Sequence, residues 1–203
     1  MLRASVAAKQ SFVSKQRRGF GRAAVFLVAA TALLAAGCGH KGHGAATDSE
    51  KAADVEVLNG VLSQELTAVA AYELGLPRLH GPMLAVAREF RGQDQAHVDA
   101  LTKSIRGLGG EIEAEAGELE PPGPRTQADA LVLAYEAENT ALGQALDAVP
   151  HLLTPAPRGL AAALATDHAQ HLTILRQGLG AGQAASVPEP FESGDVPPPG
   201  VGG

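Results

Sequence analysis

Apolar residues recur at steps of three and four in four stretches of the chain, the spacing of one face of an α-helix. The first stretch runs from about Asp54 to Leu76, with Leu58, Leu62, Val69 and Tyr72 on its stripe, and Pro77 closes it. The second starts at Pro82, carries Ala87, Phe90, Leu101 and Ile105, and stops at Gly109-Gly110. The third opens at Thr126, an N-cap with Asp129 three residues on, and shows Leu131, Tyr135, Leu142 and Val149 before Pro150 ends it. The fourth begins near Pro157 and shows Leu160, Leu164 and Leu175 before the glycines at 178 and 180. No stretch alternates strongly enough to compete as a strand. The pattern predicts an all-α domain over residues 54–178.

Each stripe is broken by ionisable residues: Glu65 in the first helix, Asp94 and His97 in the second, Glu138 in the third, His168 and His171 in the fourth. Burying an unpaired charge costs about several kcal/mol, so a core stripe normally excludes these types. The breaks follow an internal repeat. ELTAVAAYELGLPRL at 65–79 aligns with ENTALGQALDAVPHL at 138–152, and DQAHVDAL at 94–101 with HAQHLTIL at 168–175. The unit is a helical hairpin used twice, with one Glu on its first helix and a second-helix pair ending in His.

Short turns make each hairpin antiparallel, whereas residues 109–125 are acidic, rich in glycine and proline, and not helical throughout. Extended, that segment spans roughly 55 Å, against about 33 Å for a 22-residue helix, so it can cross the whole bundle. Counted from their own hairpin turns at about 1.5 Å per residue, all six ionisable positions fall about 16–23 Å along, near the middle of the bundle. A shared pocket of carboxylates and imidazoles follows. The alternative keeps the geometry without a metal, its Glu and His side chains paired as buried hydrogen bonds.

Two antiparallel hairpins, a long crossover and a Glu-then-His pattern written twice resemble the ferritin-like superfamily, and most nearly its small exported bacterial members. The resemblance implies a four-helix bundle with Glu65 and Glu138 as terminal carboxylates and His97 and His171 as terminal imidazoles. Asp94 and His168 stand where iron-binding members have two bridging glutamates. Three carboxylates in place of four favour one divalent ion, or two held weakly. Iron, manganese and zinc all suit the ligand types, and an iron-dependent oxidoreductase reacting with oxygen or peroxide is the activity implied. Tyr72, Asp167 and Gln170 are candidates to orient the ligands from outside. The opposing reading is a structural or partner-binding protein with a vestigial site.

The ends of the chain bear on location. Residues 1–22 carry six Lys/Arg and no acid, and an apolar run from Ala23 to Ala36 precedes Gly37-Cys38. A basic head and a short apolar segment describe an export signal over 1–37. LLAAGC resembles a bacterial lipoprotein signal, which implies a lipid on Cys38 and anchorage to the cell envelope. Arg17-Arg18-Gly19-Phe20 resembles the twin-arginine signal used for folded cargo. Without the signal ten Lys/Arg face 22 Asp/Glu, a formal charge of −12 that disfavours nucleic acid and favours cations. Residues 38–53 are expected to form a polar tether, and 179–203, with five prolines, a disordered tail. Oligomeric state is not set by these features.

Overall fold

The computed structural model describes residues 45–119 and 122–187. The expected signal, Cys38 and the chain after Val187 lie outside the described residues. Four long helices appear: α1 over Asp48–Gly75, α2 over Gly81–Gly107, α3 over Gln127–His151 and α4 over Pro155–Gly178. A single 3-10 turn, Leu76–Arg78, links α1 to α2, and a short helix α5, Gln183–Ser186, follows α4. The described residues contain no strand. None of their helices is long and apolar enough to cross a membrane.

α1 packs on α2 and α3, and α3 on α4, while α2 and α4 meet only sparsely. Small residues allow the close approach of α1 to α3: Ala68, Ala71, Ala141 and Ala145 are buried, and a Cβ on Gly75 would lie 3.5 Å from Ala130. Larger side chains, among them Leu58, Leu62, Leu101, Ile105, Leu172 and Leu175, fill the layers above and below the ionisable belt. Such burial is the main favourable contribution to folding.

The helix ends differ from the sequence expectation in ways with local causes. α1 starts at Asp48, so residues 48–53 are helix and not tether. A capping box sets that start, Glu50 N–H donating to Thr47 Oγ1 and Thr47 N–H to Glu50 Oε2. α3 runs one residue past Pro150, whose ring forfeits a single hydrogen bond in the last turn. α4 begins at Pro155, because the first turn has spare N–H positions where proline is harmless. The stretch after Gly178 is not a tail at once: Gln177 donates to Ser186 Oγ at 3.2 Å, and Ser186 is buried.

The crossover lies along α1. Asn59, Ser63 and Thr67, spaced four apart on one helix face, take up its backbone. Asn59 Oδ1 accepts from Glu113 N–H and Ala114 N–H, Ser63 donates to the Glu115 carbonyl, and Thr67 Oγ1 accepts from Gly117 N–H. Gly109, at φ 84°, turns the chain out of α2, and Gly110 sits where a Cβ would meet Val55 at 2.5 Å.

Asp54, expected to be no more than the first residue of α1, is fully buried. Its carboxylate accepts from Leu153 N–H at 2.6 Å, from Thr154 N–H at 3.0 Å and from the Thr154 hydroxyl. It thereby fixes the turn between α3 and α4 from the opposite hairpin. Asp54→Ala strands these donors, and a loss of about 3 kcal/mol is expected. The check is a lower urea midpoint at unchanged slope.

Candidate metal centre

The six ionisable side chains that break the apolar stripes meet in the middle of the bundle. Glu65, Asp94, Glu138, His168 and His171 are each at most 1 % exposed, and His97 is partly buried. Their ligand atoms form two groups that share one ring. Asp94, Glu138, His168 and His171 place an atom each within 4.8 Å of one another, and so do Glu65, His97 and His168.

His168 is the hub. Its Nδ1 donates to Glu138 Oε2 at 2.6 Å and its Nε2 to Glu65 Oε1 at 2.8 Å, so without metal the ring is an imidazolium held between two carboxylates. Burial opposes that charge, but the bonds to Glu138 and Glu65 outweigh it and hold the imidazole well above its ordinary range. Burial likewise pushes Glu138 and Glu65 up. The hydrogen bonds from His168, with His171 for Glu138 and His97 for Glu65, overcome it, and both carboxyls titrate below the usual carboxylate range. Tyr72 donates its hydroxyl to Glu138 Oε1 at 2.6 Å, which fixes the rotamer of that carboxylate. Burial, then the charges of Glu138 and Asp94, push the phenol well above its usual range, so it stays a donor.

Asp94 is the exception. Both its oxygens are buried and find no hydrogen-bond partner. Oδ1 lies 3.7 Å from His171 Nδ1 and 3.8 Å from His97 Nδ1, beyond hydrogen-bond reach of either. Burial raises the carboxyl, the charge of Glu138 adds to it, and its pKa reaches about 9. A buried acid with no partner is costly, and here it sits beside inward-facing imidazoles. This donor set fits a divalent cation. Glu138 and Asp94 would neutralise it, with His168 and His171 completing a four-residue set of the kind borderline transition metals take.

The outer layer explains why both terminal imidazoles turn Nδ1 inward. His171 Nε2 lies 2.6 Å from Gln93 Oε1, and His97 Nε2 lies 3.0 Å from Asp167 Oδ2. Each outer acceptor belongs to the other hairpin, and each immediately precedes the first member of its own helix's ligand pair. Phe90 stacks on His171 at 3.8 Å between ring centres and limits its tilt. Asp167 thus touches His97, and Tyr72 touches Glu138. Gln170 touches none of the six: its amide donates to the Thr166 carbonyl on its own helix, and its side chain is exposed. Gln93 takes the orienting part instead. Its signal was in the repeat, since Gln93 aligns with Asp167 when Asp94 is set on His168.

Comparison with known proteins agrees with this architecture. A search of curated proteins finds no match. Among solved structures, a conserved hypothetical protein of Mycobacterium tuberculosis superposes with a TM-score of 0.58 at 25 % identity, covering 66 % of this chain and 94 % of that one. A ferritin-like, diiron-carboxylate protein of Bacillus anthracis gives 0.54 at 19 % identity, over 64 % and 98 %. The bacterioferritin of Rhodobacter capsulatus, solved with a metal-free dinuclear site and haem iron, gives 0.53 at 22 %, over 66 % and 91 %. The model of the ferritin-like domain family matches residues 53–181, and the chain belongs to that family.

Proposed function

We propose that the bundle binds one divalent transition metal, iron foremost with manganese and zinc as competitors, through Asp94, Glu138, His168 and His171. Glu65 and His97 stand beside this set. With His168 Nδ1 given to the metal, its Nε2–H still donates to Glu65 Oε1, so Glu65 holds the ring in place. Tyr72 and Gln93 hold Glu138 and His171 in the same way. A bound iron would supply one-electron redox chemistry toward oxygen or peroxide. The surrounding carboxylates favour the more highly charged oxidised ion, and the buried setting limits water. The observation that carries the reading is Asp94, a buried carboxylate with two unpartnered oxygens amid five other donor side chains. In this reading residues 1–37 direct export and a lipid on Cys38 holds the domain at the bacterial cell envelope.

Metal analysis of the protein reconstituted without oxygen tests it. About one ion per chain is expected, with a melting temperature that rises with the logarithm of the metal concentration above the dissociation constant. A protein that takes up no iron, manganese or zinc and gains no stability from them refutes it. A purely structural bundle has one observation in its favour: the His168 imidazolium already pairs with both Glu65 and Glu138. That reading leaves Asp94 unexplained.

A further inference from the structure

The sparse seam between α2 and α4 holds a surface cavity of about 360 Å³. Its floor is the outer edge of the centre, His171 with Gln93 and Asp167, and its mouth carries Gln170, Thr173 and Ile174. Asp167 is one-third exposed, while the four proposed ligands behind it are buried.

The polar groups lining the cavity share a bias. The Gln170 amide donates to the Thr166 carbonyl, the Thr173 hydroxyl to the Ala169 carbonyl and the Gln93 amide to Glu89. The Thr173 hydroxyl hydrogen and one hydrogen of each amide are thereby spent within the helices. The balance left for a visitor leans to acceptor oxygens: the amide carbonyl of Gln170, a lone pair on Thr173, and the Asp167 oxygen not engaged with His97, the last of them charged. A surface of acceptors suits a species covered in donors, and repels an anion. A hexahydrated divalent ion presents water hydrogens in every direction. Its radius, about 3.5 Å from metal–oxygen length plus one water, gives a volume of roughly 180 Å³, which the cavity accommodates.

We propose that this cavity is the entry port of the centre: it receives the hydrated divalent cation and passes it inward between Gln93 and Asp167 to His171. The inference rests on the metal-binding reading above and adds a route and a selectivity for cations to it. Asp167 has two tasks here, attracting the ion with its open oxygen and releasing His97 as the ion passes.

Uptake kinetics decide the matter. The metal-free full chain is mixed with Co²⁺ in a stopped-flow cell, and the visible absorbance of the bound ion gives both rate and final stoichiometry. Ile174→Trp, at an exposed mouth position, is expected to slow loading about tenfold without changing the amount bound. Gln170→Lys is expected to slow it about threefold and Gln170→Glu to speed it by a similar factor, both effects shrinking as salt rises. Glu136→Gln, in a different surface groove, serves as the control and loads at the normal rate. If every variant loads the same amount at the parent rate, the port is wrong and the metal centre stands. If the parent chain takes up no cobalt, both fall.

Discussion

Glu138→Gln is expected to remove metal binding and to destabilise the metal-free protein by about 3–5 kcal/mol, the range for breaking one partner out of a buried charge network. Glu138 is fully buried and receives Tyr72 Oη, His168 Nδ1 and His171 Nδ1 within 2.8 Å. Glutamine has nearly the same shape, so packing is kept and the change is electrical. Its amide nitrogen would face the donor on His168 or one of its two other donors, and the imidazolium would keep Glu65 as its sole counter-charge. For a bundle of this size the melting temperature should fall by about 10–20 °C. Added Zn²⁺ should restore none of it. A Glu138→Gln protein that melts like the parent would mean that the network contributes little, and recovery by metal would place the ion elsewhere.

The metal-free protein is expected to lose stability as pH rises from 6 to 9, contrary to the usual behaviour of acidic domains in that range. The sign follows from two groups with raised folded-state values. Asp94 titrates near 3.8 when unfolded and at about 9 when folded, so between those values the folded state holds a proton that the unfolded state has released. His168 does the same above 6.5. Stability from such groups is complete below the unfolded value and lost as pH climbs toward the folded one. One proton corresponds to about 1.4 kcal/mol per pH unit, so the loss from pH 7 to 9 should be about 3 kcal/mol or more. Glu65 and Glu138, lowered in the fold, act in the opposite sense, and their stabilisation is lost only below about pH 4.5. Metal reverses the alkaline trend by taking the place of the protons. Uptake at pH 7 should release protons, from Asp94 and from His168 Nδ1 among them, measurable by titration calorimetry in buffers of different ionisation enthalpy. Asp94→Asn, neutral at every pH, should flatten much of the alkaline slope while abolishing binding. Constant stability from pH 6 to 9 in the parent would show that neither group holds its proton as described.

These expectations depend on residues that differ in how far the sequence alone reveals them. The bundle and its six central residues were legible because polar breaks in an apolar stripe are costly, and because the hairpin repeat places them at one height. Gln93 was equally legible in the repeat, yet it lies off the apolar face and looks like solvent-side polarity. Asp54 was not legible, since its partners are about a hundred residues away and nothing near it in sequence marks a buried carboxylate. Asn59, Ser63 and Thr67 look like a hydrated helix face, and only the docked crossover shows what that face holds. Gln170 was misjudged for the opposite reason: its position beside a ligand pair suggested a contact that its local bond to Thr166 replaces. Sequence periodicity reports which face is apolar, whereas cross-hairpin hydrogen bonds are tertiary and leave no periodic trace.

The exchange of outer partners between hairpins has a consequence for how small such a protein can be. Gln93 of the first hairpin aligns His171 of the second, and Asp167 of the second aligns His97 of the first. Neither hairpin carries the acceptor that its own terminal histidine needs. The least structure with a finished site is therefore a pair of hairpins, supplied by one chain or by two. Within this chain the two have also grown unlike at the inner positions, Asp94 against His168, so a dimer of either hairpin alone would contain two of one kind and none of the other. The repeat supplies the outline of the site, and the difference between its copies makes the two halves indispensable to each other.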